Sequence, residues 1–366
     1  MTFFLHVIEM ITILALLNCS QMRKVGILMG GGECPGVNSI IKSIVSKCLI
    51  HDMEIYGFEH GWESVVTANY RPLNAVEVED AHILGTPLIQ SSRVNILKQP
   101  NAFELAKATI ESLGLEAMIV IGGDDTLGVA DHFQRNGINI VAIPKTIDND
   151  LTGTDYSFGF DTASYVAAEA LDRLHTNAKC NFRCFVVEVM GRNTGWIALQ
   201  AGVASGAHMV LIPEFPRTME EIIGIVESRK FNGKHYTIIC VAEGFTLEEM
   251  SFDYSDVEAD DYGNTRMEQK HIGANIARLI EERTSIKTSS SVLGHHIRGG
   301  LPTAFDRVLG CKLGDKAAEL VIEKQYGYMV AIQGSNIVPV DLEQAIVKKK
   351  VDEAFYHAAG YHSYQY

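Results

Sequence analysis

The sequence has little that could build a disulfide framework or a zinc site. Its seven cysteines are an odd number, they are scattered along 366 residues, and none forms a C-x-x-C pair. Disulfide-built domains and structural zinc sites both depend on closely spaced cysteines. The cysteine pattern therefore excludes both classes, indicates reduced thiols and predicts a cytoplasmic protein.

The sequence also lacks a positive charge excess and a convincing membrane span. Its formal net charge is −14 at pH 7, whereas nucleic acids and anionic membranes attract basic surfaces. We therefore expect neither partner. The apolar start lacks a basic flank and is short for a span. We interpret residues 1–21 as an N-terminal extension from a misassigned start, with a cleaved signal peptide as the alternative.

Short apolar runs alternate with helix-length amphipathic segments over most of the chain. This alternation is typical of an α/β protein whose parallel sheets are covered by helices on both faces. We also expect a surface insertion at residues 246–264 and a hairpin near residues 326–338. The predicted strands are Val25–Met29, Ala117–Ile121, Ile138–Ile143, Arg183–Val189, Met209–Ile212, Tyr236–Val241 and Ser291–His295.

Two glycine-rich segments each lie between a predicted strand and a predicted helix. The first reads G-G-G-E-C-P-G at residues 30–36, and the second reads G-G-D-D-T at residues 122–126. Glycines let backbone amides approach a phosphate, and a helix N-terminus adds partial positive charge. The first segment could equally be a tight turn. In the second, Asp124 or Asp125 could cap the helix, but adjacent acids beside glycines favour a magnesium or phosphate site.

A third junction carries the strongest chemical signal, P-K-T-I-D-N-D at residues 144–150. Lys145 can neutralise a transferring phosphoryl group, and Thr146 can donate a hydrogen bond to it. Asp148 can accept a proton from an attacking hydroxyl, and Asp150 can bind Mg²⁺. Phosphoryl transfer needs little beyond such positioning and charge stabilisation. An Asx-rich turn is the structural alternative.

Together, these motifs resemble those of the phosphofructokinase family, and most closely its pyrophosphate-dependent members. They follow the family's order from residue 24 to about residue 310. G-G-D-x-T also occurs in lipid and NAD kinases, but the P-K-T-I-D-N-D and R-G-G-x-P-T-A-F-D-R motifs are highly specific. The matching segments are G-G-E-C-P-G-V-N at 31–38, G-G-D-D-T at 122–126, P-K-T-I-D-N-D at 144–150, M-G-R at 190–192 and R-G-G-x-P-T-A-F-D-R at 298–307.

The resemblance implies two three-layer α/β/α domains with mostly parallel sheets and an active site in the cleft between them. We expect residues 22–158 and 297–347 to form a domain that binds the donor and magnesium. Residues 159–296 and 348–366 would form the domain that binds the sugar phosphate. The resemblance also implies a homodimer or homotetramer whose sites are shared between subunits.

It further implies roles for individual residues. Asp148 would deprotonate the 1-hydroxyl of fructose 6-phosphate, with Lys145, Asp125 and Thr146 as the other catalytic residues. Asp124 and Asp150 would bind Mg²⁺. The donor phosphates would contact Gly31, Gly32, Arg93, Gly123, Asp125 and Lys145. The sugar phosphate would contact Thr146, Asp148, Met190, Gly191, Arg192, Glu243, His295 and Arg298, with Arg183 reaching it from a neighbouring subunit.

Asp125 carries most of the expectation about the donor, because ATP-dependent members commonly have glycine there. Two anions at ~4 Å repel by ~4 kcal/mol at an effective dielectric near ~20, and even ~2 kcal/mol would discriminate ~30-fold against a nucleotide α-phosphate. Many ATP-dependent members also have glycine in place of Lys145, although some share the lysine. We therefore expect reversible transfer from pyrophosphate, serving glycolysis or gluconeogenesis. An ATP-dependent phosphofructokinase and a catalytically silent regulatory paralogue are the alternatives.

Several positions depart from the family pattern. Glu33 replaces the usual aspartate, and residues 85–90 lack glycines that the family normally has there. Ser289 stands where an arginine usually binds the sugar phosphate, which should weaken that contact. Lys42 and Ser46 replace two effector-binding arginines of bacterial ATP-dependent enzymes. We therefore expect no allosteric control by nucleotides or phosphoenolpyruvate.

Overall fold

The computed structural model describes residues 22–247 and 271–360, and its strands form two sheets. The strands are β1 (Arg23–Gly30), β2 (Met53–Phe58), β3 (Tyr70–Leu73), β4 (Ser91–Ser92), β5 (Ala117–Gly122), β6 (Ile140–Pro144), β7 (Cys184–Val189), β8 (Met209–Leu211), β9 (Thr237–Ala242), β10 (Thr288–Val292), β11 (Tyr328–Gln333) and β12 (Asn336–Asp341). The first sheet has the order β12-β11-β6-β5-β1-β2-β3 with β4 also paired to β1, and the second has the order β10-β7-β9-β8.

Helices connect most of these strands. They are α1 (Asn38–Ile50), α2 (Gly61–Val66), α3 (Ala75–Val78), α4 (Ala102–Leu113), α5 (Asp124–Arg135), α6 (Phe160–Asn181), α7 (Trp196–Ser205), α8 (Met219–Phe231), α9 (Ile272–Thr284), α10 (Ala304–Ile322), α11 (Leu342–Ala345) and α12 (Glu353–Ala358). None of the helices in the two described stretches is long and apolar enough to cross a bilayer.

The predicted α/β class is confirmed. Strands β5, β6, β7 and β9 are buried along their whole length, as strands covered on both faces must be. All four strands of the second sheet run parallel. The first sheet is parallel except for β3 and β12 at its edges. The predicted hairpin near residues 326–338 is also confirmed, since β11 and β12 pair antiparallel.

One predicted strand was displaced, and three short strands were missed. The strand predicted at Ser291–His295 lies at Thr288–Val292, and Gly294–Arg298 forms a 3₁₀ turn instead. This edge strand is polar and only half-buried, so a search for apolar runs finds its neighbour. Strands β2, β3 and β4 were missed, and the predicted insertion at residues 246–264 lies almost wholly outside the described residues.

The parallel arrangement brings the sequence motifs together. Met29 pairs with Ile121, which in turn pairs with Ile143 near the carboxyl ends of β1, β5 and β6. In the second sheet, Val189 at the end of β7 pairs with Ala242 at the end of β9. Parallel strands end at the same edge of a sheet, where ligands of such folds bind. The motif segments that follow these strands are therefore neighbours.

Asp306 holds the start of the longest helix, α6, against α10. Its side chain is fully buried, and it accepts hydrogen bonds from the backbone N–H groups of Gly159 at 3.2 Å and Thr162 at 2.8 Å. The Thr162 hydroxyl donates to the same carboxylate. An acid at a helix N-terminus also interacts favourably with the helix dipole.

We expect Asp306→Ala to lower the free energy of unfolding by about 3 kcal/mol, because it leaves buried N–H groups without an acceptor. Chemical denaturation followed by circular dichroism measures the change. The control is Asp315→Ala on the same helix, which removes an exposed ion pair with Lys47 at 2.8 Å and should cost less than about 1 kcal/mol. Equal losses in the two variants would contradict the role given to Asp306.

Candidate active site

The glycine loop after β1, residues 30–36, packs against two arginines. The short strand β4 pairs with the end of β1, and Gly31 donates its backbone N–H to the carbonyl of Ser92 at 3.1 Å. This pairing brings Arg93 to the loop. A Cβ on Gly32 would lie 2.4 Å from Nη1 of Arg298 and 3.0 Å from Nη2 of Arg93. Glycine at this position therefore makes room for two guanidinium groups beside the loop backbone.

Lys145 places a buried ammonium group next to the same loop. The residue is 1% exposed, and its Nζ donates to the carbonyl oxygen of Gly32 at 2.7 Å. Burial lowers the pKa of Lys145, while the neighbouring Cys34 and Glu33 oppose that effect. A buried cation with few partners is stabilised by an anionic ligand. The position of Lys145 therefore suits a phosphate group bound over Gly32.

The turn that carries Asp148 and Asp150 is built by the residue between them. Asn149 has φ of 50°, a left-handed conformation that asparagine tolerates better than most residues. Its side chain accepts a hydrogen bond from the N–H of Ser157 at 2.9 Å and donates to the carbonyl of Asp155 at 3.2 Å. Because Asn149 closes the turn, the two flanking carboxylates are not needed for it.

Asp150 and Asp148 are acids that are hard to ionise. Burial, followed by the charges of Asp148 and Asp124, raises the pKa of Asp150 to about 7. Burial also raises the pKa of Asp148, although Arg298 and Arg192 pull it back down. Perturbed carboxylates that face one another in this way are typical of functional sites.

Asp124 and Asp125 lie in the first turn of α5, whose N-cap is Gly123. The alternative that one of them caps a helix starting at Thr126 is therefore wrong, since α5 begins at Asp124 and its cap position makes no side-chain hydrogen bond. Both side chains are half-buried. Acids in this position benefit from the positive end of the helix dipole.

The acidic residues fit a magnesium ion that arrives with phosphate ligands. Within residues 22–247 and 271–360, no group of three or more histidine, cysteine or acidic side chains forms a ready-made metal cage. Mg²⁺ often takes only one or two carboxylates, with phosphate oxygens and water completing its shell. Asp150 Oδ1 is buried without a hydrogen-bond partner among these residues. This oxygen is therefore available to coordinate a metal ion.

The second sheet contributes the opposite side of the site. Gly191 donates its N–H to Oε1 of Glu243 at 3.4 Å, which joins the loops after β7 and β9. Burial raises the pKa of Glu243 to about 7, and the charge of Asp148 adds to this effect. Arg298 contacts both sides, since its Nε lies 3.3 Å from Met190 Sδ and its Nη1 lies 3.3 Å from the carbonyl of Glu33.

The predicted residues therefore fall into three groups. The following residues line the ends of the first sheet: Gly31, Gly32, Arg93, Gly123, Asp124, Asp125, Lys145, Thr146, Asp148 and Asp150. The following residues lie on the side of the second sheet: Met190, Gly191, Arg192, Glu243, the exposed His295 and Arg298. The third group is Arg183 alone.

Arg183 lies at the opposite end of β7 from the other residues. It precedes β7, whereas Met190 follows that strand, so the two residues are separated by roughly 20 Å at about 3.3 Å per residue. The Nη1 of Arg183 donates to the hydroxyl of Ser289 at 3.1 Å, and its Nε is buried without a partner among the described residues. Arg183 therefore lies away from the rest of the site in its own subunit.

The sequence analysis missed Lys348. Its Nζ lies 3.3 Å from Oδ2 of Asp124. A run of three lysines at residues 348–350 in an acidic chain was the available signal. Nothing in the linear sequence indicates which of the three lysines contacts the site.

A doubly covered parallel fold with glycine loops, a buried lysine and acids at the same sheet edge defines a phosphotransferase. Residues 24–321 match the family model described as Phosphofructokinase, and this chain belongs to the phosphofructokinase family. The resemblance inferred from the motifs is therefore confirmed.

Named relatives differ in their phosphoryl donor. The chain is 44% identical to a pyrophosphate–fructose 6-phosphate 1-phosphotransferase from Amycolatopsis methanolica, over 89% of this chain and 95% of that protein. It is 41% identical to ATP-dependent 6-phosphofructokinase 3 from Streptomyces coelicolor, over 92% and 98% respectively. The crystal structure of Pichia pastoris phosphofructokinase in the T-state is similar with a TM-score of 0.77 and 27% identity, over 90% of this chain and 38% of that longer chain.

The raised pKa of Asp150 predicts a stability effect with a definite sign. An aspartate in an unfolded chain has a pKa of about 4, whereas burial gives Asp150 in the folded protein a pKa of about 7. The folded state thus binds more protons between these values, and Asp150 reduces stability increasingly as the pH rises through this window. Asp150→Asn should therefore raise the free energy of unfolding by about 4 kcal/mol at pH 8, and by almost nothing at pH 4.

Thermal unfolding of both proteins at the two pH values, in buffer without divalent ions, measures this difference. The control is Asp80→Asn, which changes an exposed acid and should alter stability at neither pH. A gain for Asp150→Asn that is the same at pH 4 and pH 8 would show that charge is not its cause.

Proposed function

We propose that this protein transfers a phosphoryl group from Mg²⁺-bound pyrophosphate to the 1-hydroxyl of fructose 6-phosphate, giving fructose 1,6-bisphosphate and phosphate. The observation that carries the proposal is the buried ammonium of Lys145, held 2.7 Å from the Gly32 carbonyl beside the helix that presents Asp124 and Asp125. This site combines cations for a short polyphosphate with acids for its metal. Reversible transfer of this kind could serve glycolysis or gluconeogenesis.

The donor phosphates would lie over the loop of Gly31 and Gly32. The guanidinium groups of Arg93 and Arg298 lie against Gly32, and Lys145 contacts the carbonyl oxygen of the same residue. Gly123 leads into the N-terminus of α5, which adds partial positive charge. Preorganised cations around a phosphoryl group stabilise the charge that spreads over its oxygens during transfer.

Asp148 would be the base that takes the proton from the sugar hydroxyl. Its backbone carbonyl accepts a hydrogen bond from the hydroxyl of Thr194 at 3.2 Å, so a residue of the second sheet's side fixes its position. Burial makes the carboxylate a stronger proton acceptor than a solvated aspartate. Thr146 lies two residues earlier, and its Oγ1 accepts the N–H of Asp148 at 3.2 Å.

The sugar phosphate would bind across Met190, Gly191, Arg192, Glu243 and His295, with Arg298 closing the site toward the donor. Asp124 and Asp150 would hold Mg²⁺, which when bound would neutralise charge on the donor oxygens. The chain's own contribution is to hold a buried Asp150 and a half-buried Asp124 near one another.

Asp125 favours pyrophosphate over ATP. Its carboxylate adds negative charge in the half-buried first turn of α5, where a nucleotide would bring a third phosphate. The 44% identical relative named for pyrophosphate supports this assignment, and the 41% identical relative named for ATP makes ATP the second candidate. The full set of Asp124, Asp148 and Asp150 argues against a catalytically silent paralogue.

Arg183 supports a homo-oligomer, either a dimer or a tetramer. Because it lies at the far end of β7 from its own site, and its Nε is buried with no partner in the described part of the chain, it would serve the sugar phosphate of a neighbouring subunit. In the same proposal, residues 22–158 with 297–347 form the donor domain, and residues 159–296 with 348–366 form the sugar-phosphate domain. The enzyme would act in the cytoplasm on small substrates.

We expect Asp148→Ala to lower kcat by about 10²–10⁴-fold, since general base catalysis contributes that much. The coupled assay measures fructose 1,6-bisphosphate formed from pyrophosphate and fructose 6-phosphate. Thermal unfolding should show no loss of stability, because the side chain does not close its own turn and its buried charge reduces the stability of the free protein. The control is Asp172→Ala, an exposed acid on α6. Turnover at the unmutated rate in Asp148→Ala would exclude Asp148 as the base.

We expect Asp125→Gly to allow ATP to act as donor, raising kcat/KM for ATP by about 30-fold if ~2 kcal/mol of repulsion is removed. Asp125→Asn serves as the matched variant, because it removes the charge and keeps the volume. The initial rates with pyrophosphate, ATP and no donor are compared for all three proteins. Strong ATP activity in the unmutated protein would overturn the pyrophosphate assignment.

A further inference from the structure

A C-terminal segment, residues 347–351, crosses the turn that carries the acidic residues. Its backbone pairs with that turn, since Lys349 donates its N–H to the carbonyl of Asp150 at 2.7 Å and Thr152 donates its N–H to the carbonyl of Val347 at 3.0 Å. The segment lies beyond residue 321, where the match to the family model ends. The family motifs therefore do not mark it.

The segment is also anchored on its other side. Lys349 donates its Nζ to the carbonyl of Thr154 at 2.8 Å and lies 5.2 Å from the centre of the Trp196 ring. Val351 donates its N–H to Oε1 of Glu214 at 3.2 Å. These contacts fix the backbone on both sides of residue 348. The Cα of Lys348 is therefore held in place while its long side chain remains able to move.

The Lys348 side chain points at the acidic residues. Its Nζ lies 3.3 Å from Oδ2 of Asp124, and the two side chains are 44% and 29% exposed. An ion pair with this exposure contributes little to folding. The position of this ion pair is informative, however, because Asp124 is one of the two carboxylates proposed to bind magnesium. A lysine ammonium and Mg²⁺ cannot both take the same carboxylate oxygen.

We propose that Lys348 is a further donor-site residue that exchanges partners. In the metal-free enzyme the Lys348 ammonium group neutralises Asp124. When the metal complex of pyrophosphate binds to the Asp124 carboxylate, the Lys348 ammonium group turns to the pyrophosphate oxygens. The anchored backbone keeps the released side chain within reach of the donor. This proposal rests on the proposed function, and it adds a cation from outside the family motifs.

The metal half of the exchange is tested with Mn²⁺ as the probe and no phosphate present. Free Mn²⁺ is measured by electron paramagnetic resonance. Lys348→Met should bind Mn²⁺ at least threefold more tightly than the unmutated protein, because the competing ammonium is gone. Lys350→Met is the matched control, since Lys350 is exposed on the same segment, and it should bind Mn²⁺ with unchanged affinity.

The phosphate half is tested by calorimetry with magnesium imidodiphosphate, a non-hydrolysable analogue of pyrophosphate. Lys348→Met should bind it at least tenfold more weakly, Lys348→Arg should recover most of the affinity, and Lys350→Met should match the unmutated protein. Unchanged imidodiphosphate binding in Lys348→Met, or equal loss in Lys350→Met, would overturn the proposal.

The two binding tests distinguish a failure of this proposal from a failure of the proposed function. If the unmutated protein binds no imidodiphosphate but binds magnesium ATP, the pyrophosphate assignment fails. The same variants are then titrated with magnesium ATP, and Lys348 keeps its role only if Lys348→Met weakens that binding while tightening Mn²⁺. If Mn²⁺ binding does not respond to Lys348→Met, the exchange is wrong whichever donor is used.

Discussion

The site depends on one constraint, the burial of the Lys145 ammonium group, which donates a hydrogen bond to the carbonyl oxygen of Gly32. Removing an ammonium from water costs several kcal/mol unless other charges and hydrogen bonds compensate. Among the described residues, Nζ donates to the Gly32 carbonyl at 2.7 Å, and the carboxylate oxygen Oε1 of Glu33 is itself buried without a hydrogen-bond partner. An anionic ligand would complete this environment.

The buried carboxylates are also charged groups removed from water, but their charge is negative. Asp148, Asp150 and Glu243 are each harder to ionise than a solvated acid, with burial as the largest cause. Like charges gathered in a partly buried site reduce the stability of the free protein, and a divalent cation relieves them. Catalytic sites commonly trade stability for function in this way. The fold compensates elsewhere, for example through the hydrogen bonds that converge on Asp306.

The two sheets make the site jointly. Arg298 contacts the loop after β1 through the Glu33 carbonyl and the loop after β7 through Met190. Thr194, on the side of the second sheet, binds the backbone of Asp148 on the side of the first. A change in the relative position of the sheets would therefore alter the distances between Asp148, the loop after β1 and the loops after β7 and β9 together. The C-terminal segment at residues 347–351 adds a further link through Glu214.

The linear sequence was sufficient for the fold class and for finding most of the motif residues that the structure brings together at the sheet edges. Buried strands such as β5 and β6 are continuous apolar runs, and the motif of residues 144–150 carries its chemistry in consecutive residues, so local pattern reveals both. The polar strand β10 and the short β4 were displaced or missed because they are held by pairing rather than by apolar character. Only the tertiary structure showed that Asn149 rather than the acids builds the turn, and only it brought Lys348 to Asp124. The contact between Lys348 and Asp124 joins residues far apart in the chain, which no local pattern encodes.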